Sequence, residues 1–113
     1  PPRARQPLVV PRAREVAHTA RQNDLMIRQA VRALQRGFGT EALEDLIPFL
    51  SHEAVTVREA TAQALARIDD GRAREALQRR ATVEPNAIVR EAIESGLRRP
   101  SSVRGSRSGR VAP

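Results

Sequence analysis

Arginine carries most of the chemistry this chain can offer. All 20 basic side chains are arginine, and lysine is absent. A guanidinium stays charged and presents five donors in a planar fork that matches a carboxylate or a phosphate. Codon use in a GC-rich genome accounts for the missing lysine, and selection for such forks is the other account. Three arginines recur in matching surroundings. Val57-Arg58-Glu59-Ala60 returns as Val89-Arg90-Glu91-Ala92, and a fainter copy, Ile27-Arg28-Gln29-Ala30, lies upstream. Arginines repeated in this way either bridge neighbouring structural units or line one groove that grips an anion.

Other reactive side chains are sparse. His18 and His52 are the only histidines, and there is no cysteine. Metal ligation needs further donors at set spacings, so both read as exposed helix and loop histidines. Asp69-Asp70-Gly71 lacks the regular acidic spacing of a cation loop and reads as a solvated turn. Ser51, Ser95 and the serines near the C-terminus have no nearby base motif. The sequence therefore points to no catalytic residue, no metal and no cofactor, and an enzyme is not expected.

Charge is unevenly spread. The net charge is +7. Residues 1–14 hold Arg3, Arg5, Arg12 and Arg14, residues 98–113 hold five arginines, and neither stretch contains an acid. The body between them is close to neutral. No run approaches the roughly 18 apolar residues of a membrane span, and no secretory segment is visible. The lack of cysteine suits a reducing cytoplasm. A chain that begins Pro-Pro fits removal of an initiator methionine, or a cut from a longer chain.

The elements that must position the repeated arginines are helices. Each copy sets apolar residues at helical spacings: Val31 and Leu34, then Ala64, Leu65 and Ile68, then Ile93, Gly96 and Leu97. Alanines on these stripes let helices approach closely. Copies separated by 30 and 32 residues signal stacked supersecondary units.

Residues 1–11 contain four prolines and are expected to form an extended arm. A short helix over residues 12–21 comes next. Asp24 is expected to cap a helix carrying Leu25, Ile27, Val31 and Leu34, ended by Gly37 and Gly39. Thr40 is expected to cap the next helix, which buries Leu43, Leu46, Ile47 and Leu50 and bends at Pro48. Further helices are expected over residues 56–68, 72–82 and 86–99, with a break at Asp69-Asp70-Gly71 and a cap at Asn86. Pro100 stops the last helix. Residues 100–113 are Ser-, Arg- and Gly-rich, too polar to repay their own ordering.

Six helices in three pairs, with Leu46-Ile47-Pro48-Phe49-Leu50 in a first helix and Val57-Arg58-Glu59-Ala60 plus Ala64-Leu65 in a second, resemble HEAT repeats. The short bacterial type, related to phycobilisome lyases, is the most similar, over residues 12–99. The resemblance implies an all-α solenoid of about three hairpins with extended basic tails at both ends. It also implies a polar ladder, in which a residue ahead of each second helix bonds the Val-Arg arginine. The matching positions are Asp24 with Arg28, Ala54 with Arg58 and Asn86 with Arg90, and the middle pair departs from the pattern. Gly96 replaces the alanine found at Ala64 and is expected to weaken the last helix by about 1 kcal/mol.

Such a solenoid implies a non-enzymatic adaptor that binds protein. The expected partner-binding residues are Arg3, Arg5, Arg12, Arg14, Arg58, Arg90, Arg104, Arg107 and Arg110. The alternative is a structural subunit of a nucleoprotein particle that holds nucleic acid through its arginine-rich tails. The absence of Tyr and Trp removes most base-stacking surface.

Overall fold

A computed structural model describes the backbone of residues 6–99 and the side chains of residues 14–99. Helix α1 spans Gln6–Phe38. Next along the chain are a 3₁₀ turn (Gly39–Ala42), the single α-turn α2 (Leu43–Leu46) and a second 3₁₀ turn (Ile47–Ser51). Then come α3 (Val55–Ala66), α4 (Gly71–Ala81) and α5 (Ala87–Arg98). The all-α expectation holds, and no strand occurs among the described residues.

The first pair departs from expectation. Residues 12–21 and 24–36 were expected as two helices, and the structure joins them into one of 33 residues. Neither Gly nor Pro interrupts residues 14–36, and Ala, Leu, Arg and Gln there are good helix formers. Asp24 alone does not stop propagation. Residues 6–11, expected to be extended, also belong to α1. Pro7 falls in the first turn, where its missing N–H has no partner to lose, and Pro11 removes one hydrogen bond. Arg3, Arg5, Arg104, Arg107, Arg110 and the expected C-terminal tail lie outside the described residues.

Gly39 ends α1 in the left-handed region, with φ 54°, a conformation glycine enters without a Cβ clash. Thr40, expected as a cap, caps neither of the next two helical turns, both of which start without a side-chain hydrogen bond. The segment carrying Pro48 is not one bent helix but a tight 3₁₀–α–3₁₀ series, which lets Leu43, Leu46 and Leu50 all turn inward. The two later starts match the sequence. Asp70 accepts the Arg72 N–H at 2.8 Å. Asn86 accepts the Ile88 and Val89 N–H groups at 2.8 and 3.2 Å.

The core is aliphatic, built from Val31, Leu43, Leu46, Leu65, Leu77, Val89 and Ile93 with interleaved alanines. Helix α3 is its centre, packed against α1 on one side and α5 on the other. Its stripe is accordingly buried nearly all round, including Ala60, Ala62, Ala64 and Thr61. The buried Thr61 hydroxyl donates to the Val57 carbonyl at 2.7 Å, so it leaves no orphan. Gly96 is not merely a weak point in α5. A Cβ there would lie 2.6 Å from the Ala66 Cβ, so the glycine is what admits α5 to α3.

Only the second half of α1 joins this core, through Ile27, Val31 and Leu34. Every residue from 14 to 23 is exposed. Val16, Leu25 and Met26 stand open to solvent at 62%, 43% and 65%, on different sides of α1, so no described helix covers this part of it.

Candidate functional site

Two of the three repeated arginines, Arg58 and Arg90, sit in the first turn and a half of their helices, so their side chains reach back over the preceding turn. Arg58 Nη1 donates to the His52 and Glu53 carbonyls at 2.8 and 3.1 Å. Arg90 Nη1 donates to the Glu84 and Pro85 carbonyls at 2.9 Å each. In both cases the acceptors lie six and five residues back. The guanidinium thus ties down a turn whose carbonyls have no helical partner.

The rest of the Arg58 fork crosses to the next repeat. Nε and Nη2 donate to Glu84 Oε1 and Oε2 at 2.9 and 3.0 Å, a bidentate pair with both side chains buried. Arg80 Nε adds a bond to Oε1 at 3.0 Å, and the Asn86 N–H adds one to Oε2 at 3.0 Å. Burial pushes the Glu84 carboxyl pKa up, but the bonds from Arg58, the Asn86 N–H and Arg80 outweigh it and hold the pKa below the usual glutamate value. A buried charge so fully bonded is a structural lock, and removing one partner would strand the other.

This changes the expected ladder. Its acceptor is not the residue at the Ala54 or Asn86 position. It is Glu84, two residues ahead of the cap, and Asn86 spends its side chain on capping α5. Arg58, expected either to bridge units or to bind a partner, has its fork engaged inside the chain at 8% exposure and bridges repeats. Arg80, through its bond to Oε1, belongs to the lock as well. Arg79 and Glu75 do form an exposed pair, at 3.6 Å. Arg74, half-buried, donates to the carbonyls of Leu97 and Arg99 and so closes the last turn of α5.

The ladder stops at Arg28. Its expected partner Asp24 makes no bond to it; the residues six and five back, Gln22 and Asn23, lie inside α1, where helical bonds consume their carbonyls. Arg28 Nε is buried without an acceptor. In repeat register His52 stands to Arg28 as Glu84 stands to Arg58. Its Nδ1 accepts the Ala54 N–H at 3.0 Å, just as Glu84 accepts the Asn86 N–H. An imidazole bonded in this way has only an N–H left to offer, which cannot serve a guanidinium. His18 is exposed on α1.

Sequence does not single out Glu84 or Arg80, and it reads His52 only as an exposed loop histidine, whereas the imidazole is half-buried and bonded. The signal was there in the 32-residue offset, which aligns Glu84 with His52, but it becomes meaningful only once the turns are seen to stack. Of the expected partner-binding arginines, Arg14 is exposed on the projecting part of α1, Arg12 lies on the same helix, and Arg90 is half-buried at the far end of the stack. The structure does not bring these three together.

Among the described residues, no group of His, Asp and Glu could hold a metal ion, and no helix is long and apolar enough to cross a membrane. Comparison with known families gives one match: the family described as HEAT repeats, over residues 11–98. No curated protein and no solved structure matches significantly.

Proposed function

Because residues 11–98 place the chain in the HEAT-repeat family, whose members generally mediate protein–protein interaction, we propose that it is a non-enzymatic adaptor within a larger assembly. One observation carries this reading. Among the described residues five of the six exposed large hydrophobics lie towards the two ends of the stack, Val16, Leu25 and Met26 on α1 and Val83 and Ile88 around the start of α5 at 64% and 61%, while the sixth, Phe38, closes α1. Terminal units of a repeat array need polar outer faces unless something covers them, and exposed apolar groups concentrated at ends favour docking. The cysteine-free composition fits a cytoplasmic setting.

The test is quantitative capture from the native host with the full chain as bait. Leu25→Gln with Met26→Gln at one end, and Val83→Gln with Ile88→Gln at the other, are compared with the unaltered chain. Loss of a stoichiometric protein partner with either pair supports the adaptor. Retention of every partner by both pairs refutes it.

A second reading rests on the nine arginines, without any acid, in residues 1–14 and 98–113. Such cationic tracts suit a structural subunit that holds nucleic acid. Affinity for duplex DNA or RNA would then fall steeply with salt, by nearly one log unit per log unit for each phosphate neutralised on B-DNA. Binding that is absent, or insensitive to salt, removes this reading.

A further inference from the structure

The adaptor reading leaves open what chemistry a partner must bring, and the two well-formed arginine rungs answer it. Arg58 and Arg90 use Nη1 in the same way, each clasping the carbonyls six and five residues back. Arg58 then turns Nε and Nη2 onto a carboxylate from the following turn. No described residue meets Nε or Nη2 of Arg90. Residues 99–113 contain no Asp or Glu, so no side chain there offers a carboxylate. The Arg90 fork is therefore preset by its own turn, at the end of the described stack, with two parallel donors that no described residue claims.

We propose that Arg90 is the receptor for a partner protein's carboxylate, presented as Glu84 is presented to Arg58: by an acidic residue in the turn ahead of a helix. This rests on the adaptor reading and specifies its contact. Three observations favour such a partner. The same cradle in this chain already holds a carboxylate through two donors at 2.9 and 3.0 Å. The adjoining turn exposes Val83 and Ile88, so the fork has apolar neighbours in the sequence on both sides of its turn, the mixture of arginine and aliphatic surface that protein interfaces use. The outward side of α5 also carries Glu91, Glu94 and Arg98, where α3 has Glu59, Ala62 and Ala66. Glu91 and Glu94 repel a polyanion such as nucleic acid more than a single carboxylate. The charged side chains likewise prevent another helix from approaching α5 as closely as α5 approaches α3, so a docked turn suits this end better than a stacked repeat.

A peptide with the sequence of residues 82–92 supplies the required turn, and the same peptide with Glu84→Gln is its control. Each is titrated into the ¹⁵N-labelled full chain, with the Arg90 Nε–Hε resonance followed by NMR and identified by its loss in Arg90→Lys. The expected result is a saturable shift of that resonance by the first peptide, in roughly the millimolar range for a single short anchor. The Gln peptide should bind about ten-fold more weakly, the loss of one charge-assisted pair. The Arg90→Lys chain, if it keeps its helix content, should show the same ten-fold loss. If it unfolds, the two peptides on the unaltered chain still decide. Equal binding of both peptides overturns the proposal, as does a DNA duplex that moves the Arg90 resonance more tightly than the peptide. Shifts confined to α1 or other surfaces overturn the role of Arg90 and leave the adaptor reading standing. No shift anywhere at millimolar peptide overturns the role of Arg90, and the capture experiment then decides the adaptor reading separately.

Discussion

Gly96→Ala should destabilise the protein, although helix propensity alone says the opposite. Replacing a mid-helix glycine by alanine ordinarily gains about 1 kcal/mol. Here the new Cβ would stand 2.6 Å from the Ala66 Cβ and 3.7 Å from Leu77 Cδ1. Ordinary contact begins at 3.4 Å, and Ala66 has no rotamer with which to yield. Helix α5 must therefore back away from α3 by roughly 0.8 Å or more, a gap that forfeits a quarter to a half of each dispersion contact across that seam. Overpacking of this kind costs about 1–3 kcal/mol, so the net effect is a loss of about 0–2 kcal/mol. Urea unfolding followed by far-UV circular dichroism measures it through the midpoint. A double-mutant cycle sharpens the test. With Ala66→Gly the wall is gone, and Gly96→Ala should then show its ordinary gain. The two substitutions should couple favourably by about 1–3 kcal/mol. If Gly96→Ala stabilises the unaltered chain by its full propensity, and adds independently to Ala66→Gly, then α5 does not lie on α3 as described.

The buried arginine contacts and the helix caps set four further outcomes. Glu84→Gln should cost about 3–5 kcal/mol in urea unfolding, because it strands Arg58 in a buried site. The stability supplied by Glu84 is complete above the unfolded carboxyl pKa and is lost as pH falls through its lowered folded pKa, so acid unfolding of the native chain should steepen below about pH 4.3, and less so in the Gln variant. Arg58→Met and Arg28→Met should part company: the first should destabilise by about 3 kcal/mol or more, while the second, which removes a buried Nε that has no acceptor, should be neutral or stabilising by about 1 kcal/mol. Asn86→Ala should lower stability by about 1 kcal/mol through loss of two capped N–H groups, whereas Thr40→Ala, which removes no cap, should stay within about 0.5 kcal/mol.

The uncovered end of α1 and the orphaned Arg28 are two results of one choice. A first hairpin would fold residues 12–21 back over 25–36 and free the carbonyls of Gln22 and Asn23 for Arg28, as the turns before Arg58 and Arg90 do for theirs. The continuous helix keeps those carbonyls in the helical ladder. It thereby removes both the cover for Leu25 and Met26 and the acceptors for Arg28.

What could be read along the chain was local. The helical stripes through Val31, Leu65 and Ile93, the Asn86 cap, the break at Asp70-Gly71 and the stop at Gly39 each depend on residues within about four positions, where a pattern directly encodes geometry. The recurring Val-Arg pair likewise announced stacked units before any contact was known. Tertiary structure alone decided which acceptor each arginine meets, because Glu84 lies 26 residues from Arg58 and reaches it only when turns of successive repeats stack. It alone turned Gly96 from a weak helix position into the point of closest approach, since that depends on what stands opposite. The structure also showed that α1 is continuous through Asp24: a capping residue permits a helix to start there but does not impose a break where the neighbours all favour helix.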